Sequence, residues 1–199
     1  MSKSPKKGPG RPRSVDPQAI VQSATEVYRV EGVDALSLNE VVRRVGVSKP
    51  VIYREFGGED GLMDACLSHY WDNAFLPLLG MLDEDIPVGD ALNNMLNALA
   101  APRDAPPGCL FTHMRISEAQ LGAASTARVA DFRHKARAKF EDWFRRGLQR
   151  GEVDATLTPA FAGVYFDTQL MTLLAQVGLG EDPETARALA AFALGRLLA

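Results

Sequence analysis

The stretch Ser37 to Phe56, SLNEVVRRVGVSKPVIYREF, leaves the chain little choice of local structure. Ser37 and Glu40 form an S-x-x-E capping box. The hydroxyl can accept a free N–H of the first helical turn, while the carboxylate reaches back to the Ser37 N–H. Leu38, Val41, Val42 and Val45 recur at spacings of three and four, which draws one apolar stripe along a short helix. Gly46 can take the left-handed conformation that ends it. Val47 is placed to plug the corner. Ser48 is the next N-cap, with Pro50 tolerated in the first turn of a second helix, where its missing N–H costs little.

In that second helix Ile52 and Phe56 are four apart and are expected to face inward. Lys49, Pro50, Tyr53 and Arg54 are left mostly outward. A short helix held from behind, with a lysine, an arginine and a tyrosine outside, can enter a DNA major groove and meet phosphates and base edges. A plain helical hairpin with a solvated face has the same spacing.

Charge separates the two readings further. Residues 1–56 hold ten Lys/Arg against six Asp/Glu, and residues 57–199 hold twelve against nineteen, although the net charge is only -3. A basic end on an acidic body points that end toward nucleic acid. Residues 1–15 hold five basic residues, three prolines and no acid, so a disordered basic arm is expected there. Its Gly10-Arg11-Pro12-Arg13 resembles the core of the minor-groove motif called an AT-hook. A solvated tail that adds only general attraction fits equally.

The remainder reads as helix throughout. Asp16-Pro17, Thr158-Pro159 and Asp182-Pro183 each pair an N-cap with proline at the first position. These start helices to about Glu31, Leu179 and Leu198. Others are expected from Glu59 to about Met81, bent at Pro77, from Pro87 to Ala101, from Cys109 to about Gln120 and from Ser125 to Arg150. Residues 102–108 read as a loop. No useful strand-like alternation is found, so the fold class is all-α with about nine helices. The expected division is residues 16–58 as a helix-turn-helix domain and 59–199 as a second helical domain. The last two helices are apolar around most of their circumference, which favours burial against a second copy of the chain. No stretch of about 20 uncharged apolar residues offers a membrane span. Two distant cysteines and no early hydrophobic run fit a reducing cytoplasm.

On these residues the chain resembles a TetR-family transcriptional regulator. The resemblance runs from Asp16 to about Leu67. It rests on Val27-Tyr28-x-x-x-Gly32, Leu36-Ser37-Leu38, Val41-Val42-x-x-x-Gly46-Val47-Ser48 and Pro50-Val51-Ile52-Tyr53-x-x-Phe56. Beyond Leu67 only the architecture matches.

The resemblance implies a regulator, by family default a repressor, without catalysis or cofactor, on double-stranded operator DNA as a homodimer. Tyr53 would then meet a phosphate. Ser48 and Lys49 would meet backbone or base edges, Pro50, Val51 and Arg54 would read bases, and Arg43 and Arg44 would lie by the backbone. Arg11 and Arg13 would serve the arm. Many relatives carry Phe-x-x-Lys-(Glu/Asp) after the second helix, whereas this chain has Phe56-Gly57-Gly58-Glu59-Asp60. Glu59 would repel a phosphate there, although acids suit a helix N-terminus.

The resemblance also implies a small-molecule effector that changes the spacing of two DNA-reading heads. Trp71, Phe75, Phe111, His113, Met114, Trp143, Tyr165, Phe166 and Met171 are its candidate contacts, and their character implies an apolar or aromatic ligand. Gly108-Cys109-Leu110 resembles a segment of relatives that sense oxidants or electrophiles with a cysteine. A small buried hydrophobe is the other reading of Cys109. Cys66, His69 and Asp72 recur every third residue, but a metal site needs a fourth ligand. No phosphate loop or nucleophile motif is present. An all-α enzyme, or a helical adaptor for protein partners, is the alternative class.

Overall fold

The computed structural model describes residues 16–101 and 108–199. Arg11, Arg13 and all but Gly108 of the loop expected at 102–108 lie outside the described residues. The chain forms α1 (Pro17–Glu31), α2 (Leu38–Val45), α3 (Lys49–Phe56) and α4 (Glu59–Tyr70). It continues with α5 (Leu76–Gly80), α6 (Val88–Ala100), α7 (Leu110–Ile116), α8 (Ala123–Gln149), α9 (Pro159–Gly178) and α10 (Pro183–Leu194). A π-helical segment, Trp71–Phe75, joins α4 to α5 in one bent rod, so the described residues form nine helical rods. The Leu76 N–H bonds the Trp71 carbonyl, five residues back, just before Pro77. Proline has no N–H and its ring crowds the carbonyl four residues earlier, so the bend expected at Pro77 falls on the turn before it.

The three proline-flanked caps form. Asp16 accepts the Gln18 N–H at 3.0 Å, Thr158 the Phe161 N–H at 3.2 Å, and Asp182 the Thr185 N–H at 2.9 Å. Two elements are shorter than expected. The segment after Cys109 is α-helical only to Ile116, then breaks at Ser117 before a 3₁₀ turn at Glu118–Gln120. The last helix stops at Leu194 and closes with a 3₁₀ turn. There Val153 and Leu198 form an isolated antiparallel bridge, with the Asp154 N–H on the Leu197 carbonyl at 3.0 Å.

α8 runs along the body with Val129, Phe132, Ala136, Phe140, Trp143 and Phe144 all buried, as the periodicity predicts. Its backbone comes close to α9 at Gly163, where an added Cβ would lie 3.1 Å from the Glu141 nitrogen. One apolar core runs from Ile20 in α1 through Leu62 and Leu67 in α4 to Leu194 in α10.

Charged groups fix the order of the helices. Asp167 of α9 is buried and accepts from both Arg115 nitrogens, at 2.7 and 2.9 Å, and from Arg137 Nε at 3.1 Å. α7, α8 and α9 are thereby tied at one carboxylate. Removing one partner of such a pair leaves a buried charge without compensation. Asp167→Ala is therefore expected to lose about 3–5 kcal/mol of stability. Urea unfolding followed by circular dichroism measures it, and a loss below about 1 kcal/mol would mean that Arg115 finds another partner.

Candidate nucleic-acid interface

The candidate interface is built from α2 and α3. The Ser37–Glu40 box closes in both directions, with the Ser37 N–H on Glu40 Oε2 at 2.9 Å and the Glu40 N–H on Ser37 Oγ at 3.4 Å. Those hydrogen bonds hold the Glu40 carboxyl below its ordinary value. Gly46 takes the left-handed conformation, φ 76°, ψ 28°. The Gly46 and Val47 N–H groups both bond the Val42 carbonyl at 3.0 Å. Val47 is half-buried in the corner.

Ser48 occupies the N-cap position of α3, but its side chain makes no cap hydrogen bond. With the second helical residue a proline, one of the N–H groups that a cap would satisfy is missing. Ile52 is buried behind α3, while Phe56 is only half-buried at the helix end, less enclosed than its spacing from Ile52 implied.

Outside stand Ser48, Lys49, Pro50, Tyr53 and Arg54, all exposed, with the Tyr53 ring 59% accessible. Val51 is half-buried and turns partly toward α3's packed side. Arg54 pairs with neighbouring Glu55 at 2.7 Å on the open surface, a contact of little energetic weight. Arg43 is exposed beside the Glu40 carboxylate. Arg44 forms an ion pair with Glu31 at the end of α1. The sequence reading gave Arg44 only a backbone role, and nothing in the spacing marked Glu31 as its partner.

Glu59 opens α4 directly behind this face. Burial raises its carboxyl above the ordinary value, and the positive charge of Lys49 opposes the rise. Lys49, Tyr53 and Glu59 line one groove of about 550 Å³ between α3 and the body. Tyr53 lies over Gly58, where an added Cβ would stand 3.5 Å from the ring. Glu59 thus shares a groove with the Lys49 ammonium and the Tyr53 hydroxyl.

α4 carries this head on the body. Asp60 accepts the Ala124 N–H at 2.8 Å, the Ser125 N–H at 3.0 Å and the Ser125 hydroxyl, which together cap α8. Burial pushes the Asp60 carboxyl up, but these hydrogen bonds outweigh it and hold the group below its usual range. Asp64 holds Arg128 of α8 at 2.8 and 3.2 Å.

The side chains proposed for an effector fall into separate places. Trp71 stacks on Phe132 at 4.1 Å and on Phe75 at 4.9 Å, with Phe111 edge-on to Trp71 and Phe75. Trp143 and Phe166 form a second cluster with Phe140 and Phe144. Met114 is fully buried. Met171 is half-buried, as is Tyr165, whose hydroxyl donates to the Ala193 carbonyl at 3.3 Å. His113 and Cys109 instead line a cavity between α1, α7 and α9. The Cys66 thiol is buried, pushed up to about 12 by burial, and donates to the Val21 carbonyl at 3.7 Å. Among the described residues no group of three or more His, Cys, Asp or Glu is placed to hold a metal, so Cys66, His69 and Asp72 do not converge.

The geometry defines a class: a helix-turn-helix head fixed to a helical body through α4. Residues 20–66 match the family described as bacterial regulatory proteins, tetR family. The match covers the helix-turn-helix head, and the described residues share the fold of solved TetR-family regulators.

Among curated relatives it is 32% identical over 109 residues to the HTH-type transcriptional repressor BdcR of Escherichia coli K12. That match covers 55% of each chain. It is also 32% identical over 110 residues to the repressor ComR of the same organism, covering 53% of this chain and 52% of ComR. The chain thus spans about half the length of the curated relatives it matches.

Among solved structures, a cysteine-substituted TetR-family regulator CifR complexed with 26-bp operator DNA superposes with TM-score 0.78. It is 23% identical, covering 94% of this chain and 100% of that one. A TetR-family regulator from Agrobacterium tumefaciens gives 0.79 at 17% identity, covering 92% and 100%. These relatives are regulators, not enzymes.

If this groove takes a DNA phosphate, Glu59 competes with it for Lys49, and Glu59→Lys is then expected to tighten DNA binding several-fold. The gain should shrink as salt screens the new charge. Fluorescence anisotropy on a labelled duplex measures it, and unchanged or weaker affinity would count against a repulsive role for Glu59.

Proposed function

We propose that this protein is a DNA-binding transcriptional repressor that acts as a homodimer in the cytoplasm and is released by a small effector with an apolar body. The observation that carries the reading is the exposed face of α3. Lys49, Tyr53 and Arg54 project from a helix fixed at its back by buried Ile52, with no packing demand that would explain a lysine, a tyrosine and an arginine side by side. Such a helix can lie in a major groove, with Tyr53 and Lys49 on phosphates and Pro50 and Arg54 toward base edges. The repressor names of BdcR and ComR, and the operator complex of CifR, support the same role here.

Dimerisation rests on a different surface. Phe161 and Val164 of α9 are exposed, as are Leu189 and Phe192 of α10, the last 79% accessible. Phe161 stacks on Tyr165 at a centroid distance of 6.2 Å. Further along the same face, the Thr168 hydroxyl donates to the Val164 carbonyl at 2.9 Å and the Thr172 hydroxyl to the Thr168 carbonyl at 3.0 Å. These hydroxyls are satisfied within their own helix, so the stripe can be covered without orphaning a polar group. A second copy of the chain fits a two-helix apolar face of this kind, because two-fold contacts are self-complementary. Two heads would then address major grooves about 34–36 Å apart.

Selection of duplexes from a random pool is expected to return a two-fold symmetric site. Affinity for it should fall steeply with salt, and Tyr53→Ala should weaken it roughly tenfold or more through loss of a charged hydrogen bond. No enriched site and no salt dependence would overturn the regulator reading.

Phe192→Glu is expected to shift the sedimenting species from dimer to monomer while keeping its helical content. A dimer that survives the charge would place the interface elsewhere.

A further inference from the structure

Three helices end in one place. α1 ends at Glu31, α7 at Ile116 and α9 at Gly178, and residues of all three last turns line a single cavity of about 340 Å³. That volume lies within the range of sites for small organic ligands. It lies neither in the aromatic clusters of the body nor on the face of α3. One wall belongs to the head, through Glu31, Asp34 and Ala35, and the other to the body.

Three helix C-termini line the cavity, and only Cys109, at the start of α7, brings a helix N-terminal end to it. Helix C-termini present carbonyl oxygens and the negative end of the helix dipole, which favours cations. The charged side chains lining the cavity are Glu31 and Asp34, with no lysine or arginine among its described lining residues. Glu31 is already paired with Arg44, so Asp34 supplies the acid that a guest would meet. His113 does not offset it. Burial lowers the affinity of its ring for a proton, against the pull of Asp34 and of the Arg29 carbonyl. Asp34 Oδ1 and His113 Nδ1 lie 2.9 and 3.3 Å from where a Cβ on Gly32 would stand, so two polar atoms converge where the chain has no side chain.

The rest of the lining is apolar. Leu174 forms part of the wall, and Ile116 and Leu179 are 63% and 89% exposed. Large side chains so open at a cavity are those a guest would cover.

From this juxtaposition, an acidic corner at converging helix ends beside an apolar wall, we propose that the head–body cavity binds a small organic cation, a protonated amine on an apolar body. Its ammonium sits by Asp34 and its hydrocarbon lies against Leu174, Ile116 and Leu179. Because the two walls belong to head and body, occupancy sets the angle between them. This last step rests on the regulator reading above, whereas the binding site does not.

The test uses the full chain and three probes of one shape: 1-naphthylmethylamine, 1-naphthylmethanol and 1-naphthoate. Calorimetry is expected to rank them amine, alcohol, carboxylate, with roughly tenfold between the first two. Asp34→Asn, on an exposed residue and nearly isosteric, should erase the preference for the amine and leave the alcohol unchanged. Ala175→Trp, which fills the cavity from α9, should abolish amine binding at an unchanged thermal midpoint. No binding of the amine, equal affinity for amine and alcohol, or amine binding that survives Ala175→Trp would each overturn the site.

With the selected operator duplex in hand, saturating amine is expected to change duplex affinity in the wild type and not in Ala175→Trp. Unchanged affinity with the cavity filled would overturn the coupling while leaving both the site and the DNA reading standing.

Discussion

Asp60 and Asp64 stand one helical turn apart on α4, and both are engaged by α8. The first caps α8 through two backbone N–H groups and the Ser125 hydroxyl; the second holds Arg128 by two nitrogens. The same helix buries Leu62, Met63, Cys66 and Leu67 in the shared core. α4 therefore cannot move with the head alone or with the body alone. A cap is a directional interaction that satisfies groups with no other partner. Tilting α4 relative to α8 strands those N–H groups, so the two move as a unit or the clasp opens. The placement of the exposed α3 face depends on this helix pair.

The buried carboxylate of Asp167 plays a matching part inside the body. It gathers Arg115 of α7 and Arg137 of α8 onto α9, so the short α7 is fixed although its seven residues could not hold a helix alone. α7 also meets the end of α1 through His113, which bonds the Arg29 carbonyl. At Gly108, just before α7, an added Cβ would fall 2.1 Å from the same oxygen, so only glycine fits. The head is consequently braced twice, by α4 on α8 and by α7 on α1. The cavity proposed for an organic cation lies at the second brace, where displacement of α7 or α9 reaches α1 without passing through α4.

Much of the head was legible in the sequence because its rules are local. Ser37, Glu40 and Gly46 act within one or two turns of themselves, and α2 has the bounds that they imply. The proline-flanked caps at Asp16, Thr158 and Asp182 work for the same reason. The exposed lysine, tyrosine and arginine of α3 follow from a helical period once Ile52 is placed inward. Where local rules met crowding they failed: Ser48 caps nothing, Phe56 is half open, and the bend assigned to Pro77 appears as a π segment ahead of it.

The sequence by itself determined the helical class, the apolar stripes, the glycine turns and the character of the α3 surface. Each depends on residues within about one turn of one another, where backbone geometry leaves few alternatives. Tertiary structure alone decided which charges meet. Asp60 and Ser125, Arg115 and Asp167, and Arg44 and Glu31 are paired by packing across stretches that carry no periodic signal. It also decided that the buried aromatic side chains of the body pack in two clusters and that three helix ends converge on a cavity. A void is the space left by many side chains at once, and no single residue encodes it.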